Sequence, residues 1–368
     1  MWILREIRER GGEIGFRRFM ELALYQPEHG YYTSGKSPWG RDGDYLTAPT
    51  ASPWYGTTVA GLLTELSTRS GRRCRLVDLA AGDGSFLASI LMALGDRAVD
   101  VLTGVTAVER SPAMRKRIER RVDGAVVAVR VSDQVGDKGA ERIVVHASEL
   151  YDAMPVHLVE QTAAGLVEFT VVETEVGLDW GRRRAGSDLE GYFLRHGVEL
   201  ECGQIAEINP AAEFAHRELL ETCREGVTLV LDYGYEANRL YDPRGRRYGS
   251  LVSYREHKVG RELLDSPGEQ DLTAHVNWDD LRLAAADCGW EEVGLMPLAE
   301  FLVRAGIGKR VDEAGFGMEA DLDAETFTAR QEIKRLLDPE GMGSDLKMLV
   351  QGKGELGELA AEILNRDV

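Results

Sequence analysis

Leu76-Val77-Asp78-Leu79-Ala80-Ala81-Gly82-Asp83-Gly84-Ser85-Phe86 decides how this chain folds. An apolar run meets an acid, passes through a glycine turn and enters a helix-forming stretch. The next apolar run closes on Val105-Thr106-Ala107-Val108-Glu109-Arg110-Ser111-Pro112. Strand, glycine turn, helix, strand and acidic residue, in that order, are how a doubly wound fold holds an adenosine-containing cofactor. Gly82 and Gly84 let the turn approach a ligand with no Cβ in the way. Asp78, at the end of the first strand, is placed to meet a cationic amino group. Glu109, at the end of the second, is where a carboxylate takes two ribose hydroxyls. Its plainer alternative is to cap the helix that starts at Ser111-Pro112. Ala80 stands where a dinucleotide fingerprint has its first glycine. That departure argues against NAD and toward S-adenosylmethionine, which has no pyrophosphate to cradle at a helix terminus.

Outward from this motif the pattern alternates. Strands are expected near 75–80, 102–108, 125–131, 142–147 and 227–232, and helices over 84–95 and 111–122. Strand-like runs near 166–176 and 203–208 precede a helix over 210–224. A strand near 291–296, helices near 298–305 and 324–337, and a strand near 345–351 complete the chain. Continuous Val and Leu strands between helices predict an α/β fold on a mostly parallel sheet covered on both faces. An antiparallel closing pair brings that sheet to seven strands. The expected division is an N-terminal helical and loop extension over residues 1–70 and a cofactor-binding core over 71–235 with an excursion at 155–225. An inserted lid or substrate wall follows over 236–285, since this stretch is too long for a connector. The remaining core occupies 286–353, and a tail, read as a short helix, 354–368. Phe16, Phe19, Met20, Ala23 and Leu24 follow helical spacing. Tyr25-Gln26-Pro27-Glu28-His29-Gly30-Tyr31-Tyr32 and Gly43-Asp44-Tyr45-Leu46-Thr47-Ala48-Pro49 suit loops folded over a site, or plain packing against the core.

The 368 residues carry 44 Lys and Arg against 62 Asp and Glu, a formal charge of -18. No sustained basic face is present to grip phosphates, so nucleic acid is a poor partner. Such a field attracts a basic partner, although acidic surfaces also serve solubility alone. Cys74, Cys202, Cys223 and Cys288 are far apart and show no metal-ligand spacing. The seven histidines are scattered as well, so no metal site is expected. The amino terminus lacks a signal-peptide core and no apolar run reaches spanning length. The chain reads as a cytoplasmic protein without membrane insertion, its oligomeric state open.

The fourth strand runs into Ala147-Ser148-Glu149-Leu150-Tyr151-Asp152-Ala153-Met154-Pro155. Ligands of doubly wound folds sit at the carboxyl ends of strands, so Glu149 and Asp152 are expected to face a reacting methyl group. Methyl transfer needs positioning more than covalent help. Paired carboxylates fix the plane of an arginine guanidinium and draw charge from its attacking nitrogen. Two acids three residues apart also occur on ordinary exposed turns. His275 is a candidate general base or orienting donor, or a structural histidine. Asp232-Tyr233-Gly234-Tyr235 stands in similar balance. Arg110, Asp133 near an adenine amino group, and Ser148 complete the candidate cofactor contacts, with Asp78, Ala80, Gly82, Gly84 and Glu109.

The ordered blocks Phe16 to Pro27, His29-Gly30-Tyr31-Tyr32, Gly43 to Pro49, the glycine motif and Glu149 to Val156 resemble the MidA family. Leu231 to Tyr235, Pro267 to Val276 and Pro339-Glu340-Gly341-Met342-Gly343 extend the resemblance over nearly the whole chain. It implies a class I, Rossmann-like S-adenosylmethionine-dependent methyltransferase. Mitochondrial members are complex I assembly factors that methylate an arginine of a partner subunit. Relative to that pattern Ala80 replaces a glycine, Thr50 a glutamate and Ser148 an asparagine, while Val131 and Ser132 replace a Trp-His pair. The expected activity is methylation of a protein side chain, arginine foremost. A small-molecule methyltransferase and a non-catalytic assembly factor that binds S-adenosylmethionine are the alternatives.

Overall fold

The computed structural model describes residues 2–35, 46–135, 142–221, 223–256 and 258–366. Gly43-Asp44-Tyr45 of the second aromatic loop lie outside the described residues. The central sheet is built from β1 (Cys74–Leu79), β2 (Leu102–Val108), β3 (Val129–Ser132), β4 (Ile143–Ser148), β5 (Gly226–Tyr235), β6 (Glu291–Pro297) and β7 (Leu346–Lys353). Their order is β3-β2-β1-β4-β5-β7-β6, with the two-residue strand Val276–Asn277 beside the end of β5. β1 to β5 run parallel, while β7 is antiparallel to both β5 and β6. The expected sheet is thus observed, and its third strand begins later than the 125–131 pattern indicates. A turn from Val122 to Ala125 uses up the first residues of that run.

Strand order reverses between β1 and β4, the switch point at which such sheets open a crevice. Val77, Val145 and Val230 pack on one face, while Leu76, Val144 and Leu229 fill the other. Helix Ser85–Leu94, directly after the glycine turn, carries Phe86, Leu87 and Ile90 into the second of these clusters.

Three parts of the chain are more structured than their sequence pattern announces. An 18-residue helix, Pro53–Ser70, starts on a Ser52 cap and Pro53 and ends at Gly71 in the left-handed region. It lies against the helix after the glycine turn so closely that a Cβ on Gly56 would fall 2.6 Å from Ser89 Cβ. The 155–225 excursion forms a second sheet from His157–Thr162, Gly165–Thr174, Gly177–Arg184 and Ile205–Ile208. The amino-terminal strand Glu13–Gly15 joins that sheet beside Gly165–Thr174. Helix Phe16–Tyr25 then places Phe16, Phe19, Met20 and Leu24 in the core shared with it. The 236–285 insertion divides in two. A small sheet, Val252–Arg255, Lys258–Gly260 and Asp271–Thr273, stands over the carboxyl ends of the core strands. Helix Trp278–Asp287 returns to the central layer and packs with helix Pro210–Glu221. The tail forms the helix Gly354–Leu364. No described helix is long and apolar enough to cross a membrane.

Candidate active site

A cleft of about 1100 Å³ opens over the carboxyl ends of β1, β2 and β4. Asp78, Ala80, Gly82, Glu109, Arg110, Asp133, Ser148 and Glu149 all line it. Gly84 does not, although it adopts a φ of 82°. A Cβ there would press to 3.2 Å on Ile118, so Gly84 lets the next helix pack against the turn.

The parallel register sets Asp78 beside His146. Both are buried, and His146 Nδ1 lies 2.7 Å from Asp78 Oδ1. The other ring nitrogen is 2.8 Å from the Tyr55 hydroxyl, and the Phe86 ring stacks on the imidazole at 3.6 Å. With Nδ1–H donated to Asp78, Nε2 accepts from Tyr55. This chain holds the carboxylate still and leaves Asp78 Oδ2 buried without a hydrogen-bond partner. Burial raises the Asp78 pKa against the lowering effect of His146. A buried carboxylate oxygen without a donor costs free energy that a ligand ammonium would recover.

Glu109 accepts one backbone hydrogen bond on each carboxylate oxygen. Oε2 accepts from Gly82 N at 3.0 Å and Oε1 from Ser111 N at 2.7 Å. It therefore caps the following helix and pins the glycine turn, with lone pairs still facing the cleft. Burial again raises its pKa. Asp83 caps its own helix through Ser85 and pairs with Arg121 at 3.0 Å. Ala80 adopts a φ of 50°. A side chain in this left-handed region costs roughly 1–2 kcal/mol, so the turn is strained where the usual glycine would be relaxed. Arg110 lies over the Tyr25 ring at 5.0 Å on the cleft rim, and Asp133 is exposed at its edge.

Beyond Glu149 lies a second, smaller cavity of about 100 Å³. Its wall includes Tyr32, Glu149, Asp152, Tyr233, Tyr254, Asp271 and His275. Glu149 belongs to both spaces. It too is left-handed, with φ 51°, in the turn that follows β4. One oxygen, Oε1, has no hydrogen-bond partner, and its carboxylate takes the Ala48 N–H at the start of helix Ala48–Ala51. Burial and the neighbouring Asp232 push the Glu149 pKa up to about 8. Burial likewise lifts Asp232 to about 7, although the Tyr151 and Tyr233 backbone N–H groups donate to it at 2.9 and 2.8 Å. Asp152 is raised well above the carboxylate range by burial and by Asp232, Glu149 and Asp271. Asp271 accepts from Tyr32 at 2.8 Å. Neighbouring buried acids raise one another, and an opposite charge brought among them would lower their pKa values. Among the described residues these carboxylates do not converge as a metal-ligand set.

His275 reaches this wall in a fixed state. Its Nδ1 accepts from Arg246 at 3.0 Å, and burial with Arg246 lowers its pKa to about 4. The remaining Nε2–H can donate, which suits an orienting role better than that of a base. Thr50 also gains a local reason. Its hydroxyl accepts the Thr47 N–H at 3.0 Å and closes a capping box on helix Ala48–Ala51. A glutamate does the same at that position of the motif.

A family model described as "Putative S-adenosyl-L-methionine-dependent methyltransferase" matches residues 58–296. The chain belongs to this methyltransferase family. A crystal structure of a Burkholderia thailandensis protein bound to S-adenosyl-homocysteine superposes with a TM-score of 0.85 at 29% identity, covering 98% of this chain and 93% of that one. The mitochondrial protein arginine methyltransferase NDUFAF7 homolog of Drosophila melanogaster is 24% identical over 94% of this chain and 83% of its own. The Xenopus tropicalis protein arginine methyltransferase NDUFAF7 is 25% identical over 82% and 74%. The MidA resemblance, the Rossmann-like fold and S-adenosylmethionine as cofactor are thereby established for this methyltransferase. The cleft accords with that cofactor, since Asp78 Oδ2 and Ser148 Oγ are buried there without partners.

His146, Tyr55, Tyr254 and Asp271 complete the site without having been marked as functional in the sequence. His146 sits inside a valine run that reads as core. Asp271 and Tyr254 gain meaning only when the small sheet folds over Glu149.

Proposed function

We propose that this methyltransferase transfers a methyl group to the guanidinium of an arginine on a protein partner. The observation that carries the reading is the small acidic cavity sharing Glu149 with the cofactor cleft. Its volume suits the planar end of one side chain, and its wall offers carboxylates and tyrosine rings to a permanent cation. Asp78 Oδ2 would hold the amino group of S-adenosylmethionine, and Glu109 and Asp133 would face its ribose and adenine. When bound, that cofactor supplies an electrophilic methyl group on a sulfonium sulfur.

The chain's own residues supply position and charge. Glu149 and Asp152 would accept N–H donors from the guanidinium, fixing its plane. Entry of the cation draws Glu149 toward its ionised form, because an opposite charge lowers a carboxyl pKa. As a nitrogen forms its bond to carbon it gives up an N–H proton, and the ionised Glu149 carboxylate facing it would accept that proton before solvent carries it away. His275 Nε2–H and the tyrosines would orient the acceptor. The names of the curated relatives favour the same acceptor.

A labelled methyl donor, incubated with the protein and extract from cells lacking it, tests the reading. The expected product is labelled N-methylarginine in acid hydrolysates of the protein fraction. Label confined to small molecules, or appearing on another amino acid, would overturn it.

A further inference from the structure

Beside the acidic cavity the molecule reverses its sign. Tyr235, at the end of β5, carries three cations over one ring: Arg246 at 4.0 Å, Arg239 at 4.7 Å and Lys347 at 5.3 Å from its centroid. They come from three elements, the short helices Ala237–Leu240 and Pro243–Arg246 and the start of β7. Among the described residues none of the three makes an ion pair, although the chain holds 62 acids. Three like charges within about one Debye length of each other repel, and one aromatic face repays only part of that cost. Arg246 is further fixed by its hydrogen bond to His275, a residue of the cavity wall. Through Arg246 the cation cluster reaches the imidazole that walls the acidic cavity.

We propose that Arg239, Arg246 and Lys347 form an anion-reading rim that recognises a carboxylate side chain close in sequence to the target arginine. The inference rests on the arginine reading above and adds the substrate's flanking chemistry. An extended peptide advances about 3.3 Å per residue with alternate side chains on one face. A carboxylate two or three residues from an arginine seated in the cavity would reach the Tyr235 platform. The rim also selects against the partners the overall charge would otherwise gather: a lysine-rich segment is attracted by the molecule and repelled at the mouth of the site.

The test uses the full chain loaded with S-adenosyl-homocysteine and three synthetic peptides with a central arginine, flanked at two and three residues on each side by Asp, Ser or Lys. Fluorescence anisotropy should give the Asp-flanked peptide at least tenfold tighter binding than the Lys-flanked one, with the difference shrinking as salt rises. In Arg239→Glu/Lys347→Glu the preference should fall to within twofold, while the Ser-flanked peptide and S-adenosyl-homocysteine bind as before. Equal binding of Asp- and Lys-flanked peptides to the unaltered protein, a preference that survives the double reversal, or no binding of the Asp-flanked peptide would each overturn the rim. A Ser-flanked peptide with Gln in place of the central Arg separates the two ideas. Loss of Arg-over-Gln discrimination counts against the arginine reading, whereas the flank preference stands or falls independently of it.

Discussion

The cofactor cleft and the acidic cavity meet at Glu149 and Tyr32 and are built differently. The cleft takes its floor, Asp78 to Phe86, Glu109 to Ser111 and His146 to Glu149, from the ends of adjacent parallel strands, while Tyr25, Thr47, Thr50 and Phe214 close its sides from elsewhere in the chain. The cavity draws Tyr32, Asp152, Tyr233, Tyr254, Asp271 and His275 from five separate segments, including the small inserted sheet. The cleft is held by satisfied bonds, such as Glu109 to two backbone N–H groups, with a few atoms left open for a ligand. The cavity is held under charge stress, with acids pushed toward neutrality by burial and by each other. Both keep local strain, at Ala80 in the cleft and at Glu149 between the two spaces, and they differ in the density of buried acids.

Glu149→Gln should break the comparison most sharply. Methyl transfer is expected to fall by about 10²–10³-fold, the scale of losing one placed charge-stabilising group. Calorimetric affinity for S-adenosyl-homocysteine should stay within about threefold, because one tenfold step is ~1.4 kcal/mol. Asp78→Asn should do the reverse in kind: cofactor affinity drops by about tenfold to a hundredfold, as for a lost charged hydrogen bond of about 1.5–3 kcal/mol. Its effect on acceptor binding to the preloaded protein should be small.

The charge stress gives a pH signature. Glu149 and Asp232 have folded pKa values raised to about 8 and about 7, above their unfolded values. Their contribution to stability is complete below the unfolded carboxylate range and is lost as pH rises through the folded values. The melting temperature should decline between pH 5 and 8.5, and Glu149→Gln should flatten the decline and stabilise the protein at pH 8 by about 1–2 kcal/mol. A flat profile in the unaltered protein would remove the charge-stress account. The smallest effects belong to the cleft side. Ala80→Gly should gain about 1 kcal/mol by freeing the left-handed turn, and Thr50→Ala should lose about 1 kcal/mol with its cap. Denaturant titration measures both.

The same contrast explains what could be read from the sequence. Asp78, Gly82, Gly84 and Glu109 were legible because a strand-turn-helix motif keeps function in one short run. Gly84 nonetheless serves helix packing, a distinction that only the position of Ile118 reveals. Glu149 and Asp152 stood out as a local pair. Asp271 did not, because nothing near it in the chain marks it as the neighbour of Glu149. His146 was concealed by a strand in which alternate residues all read as core, and its partner Tyr55 lies on a helix whose apolar residues run all round it. The second sheet was half visible, since Gly177–Arg184 carries polar residues on both faces and presents no alternation to find.

The bond between Asp78 and His146 spans two neighbouring strands at one rung of the ladder. A slip of β4 by a single residue would turn the imidazole to the opposite face and leave Asp78 unsupported. A ligand site at Asp78 would act as a gauge of strand alignment, intact only when the two strands are correctly paired. A ligand bound there favours the aligned sheet by mass action, so the metabolite that feeds the reaction would also help to proofread the folding of the enzyme that uses it.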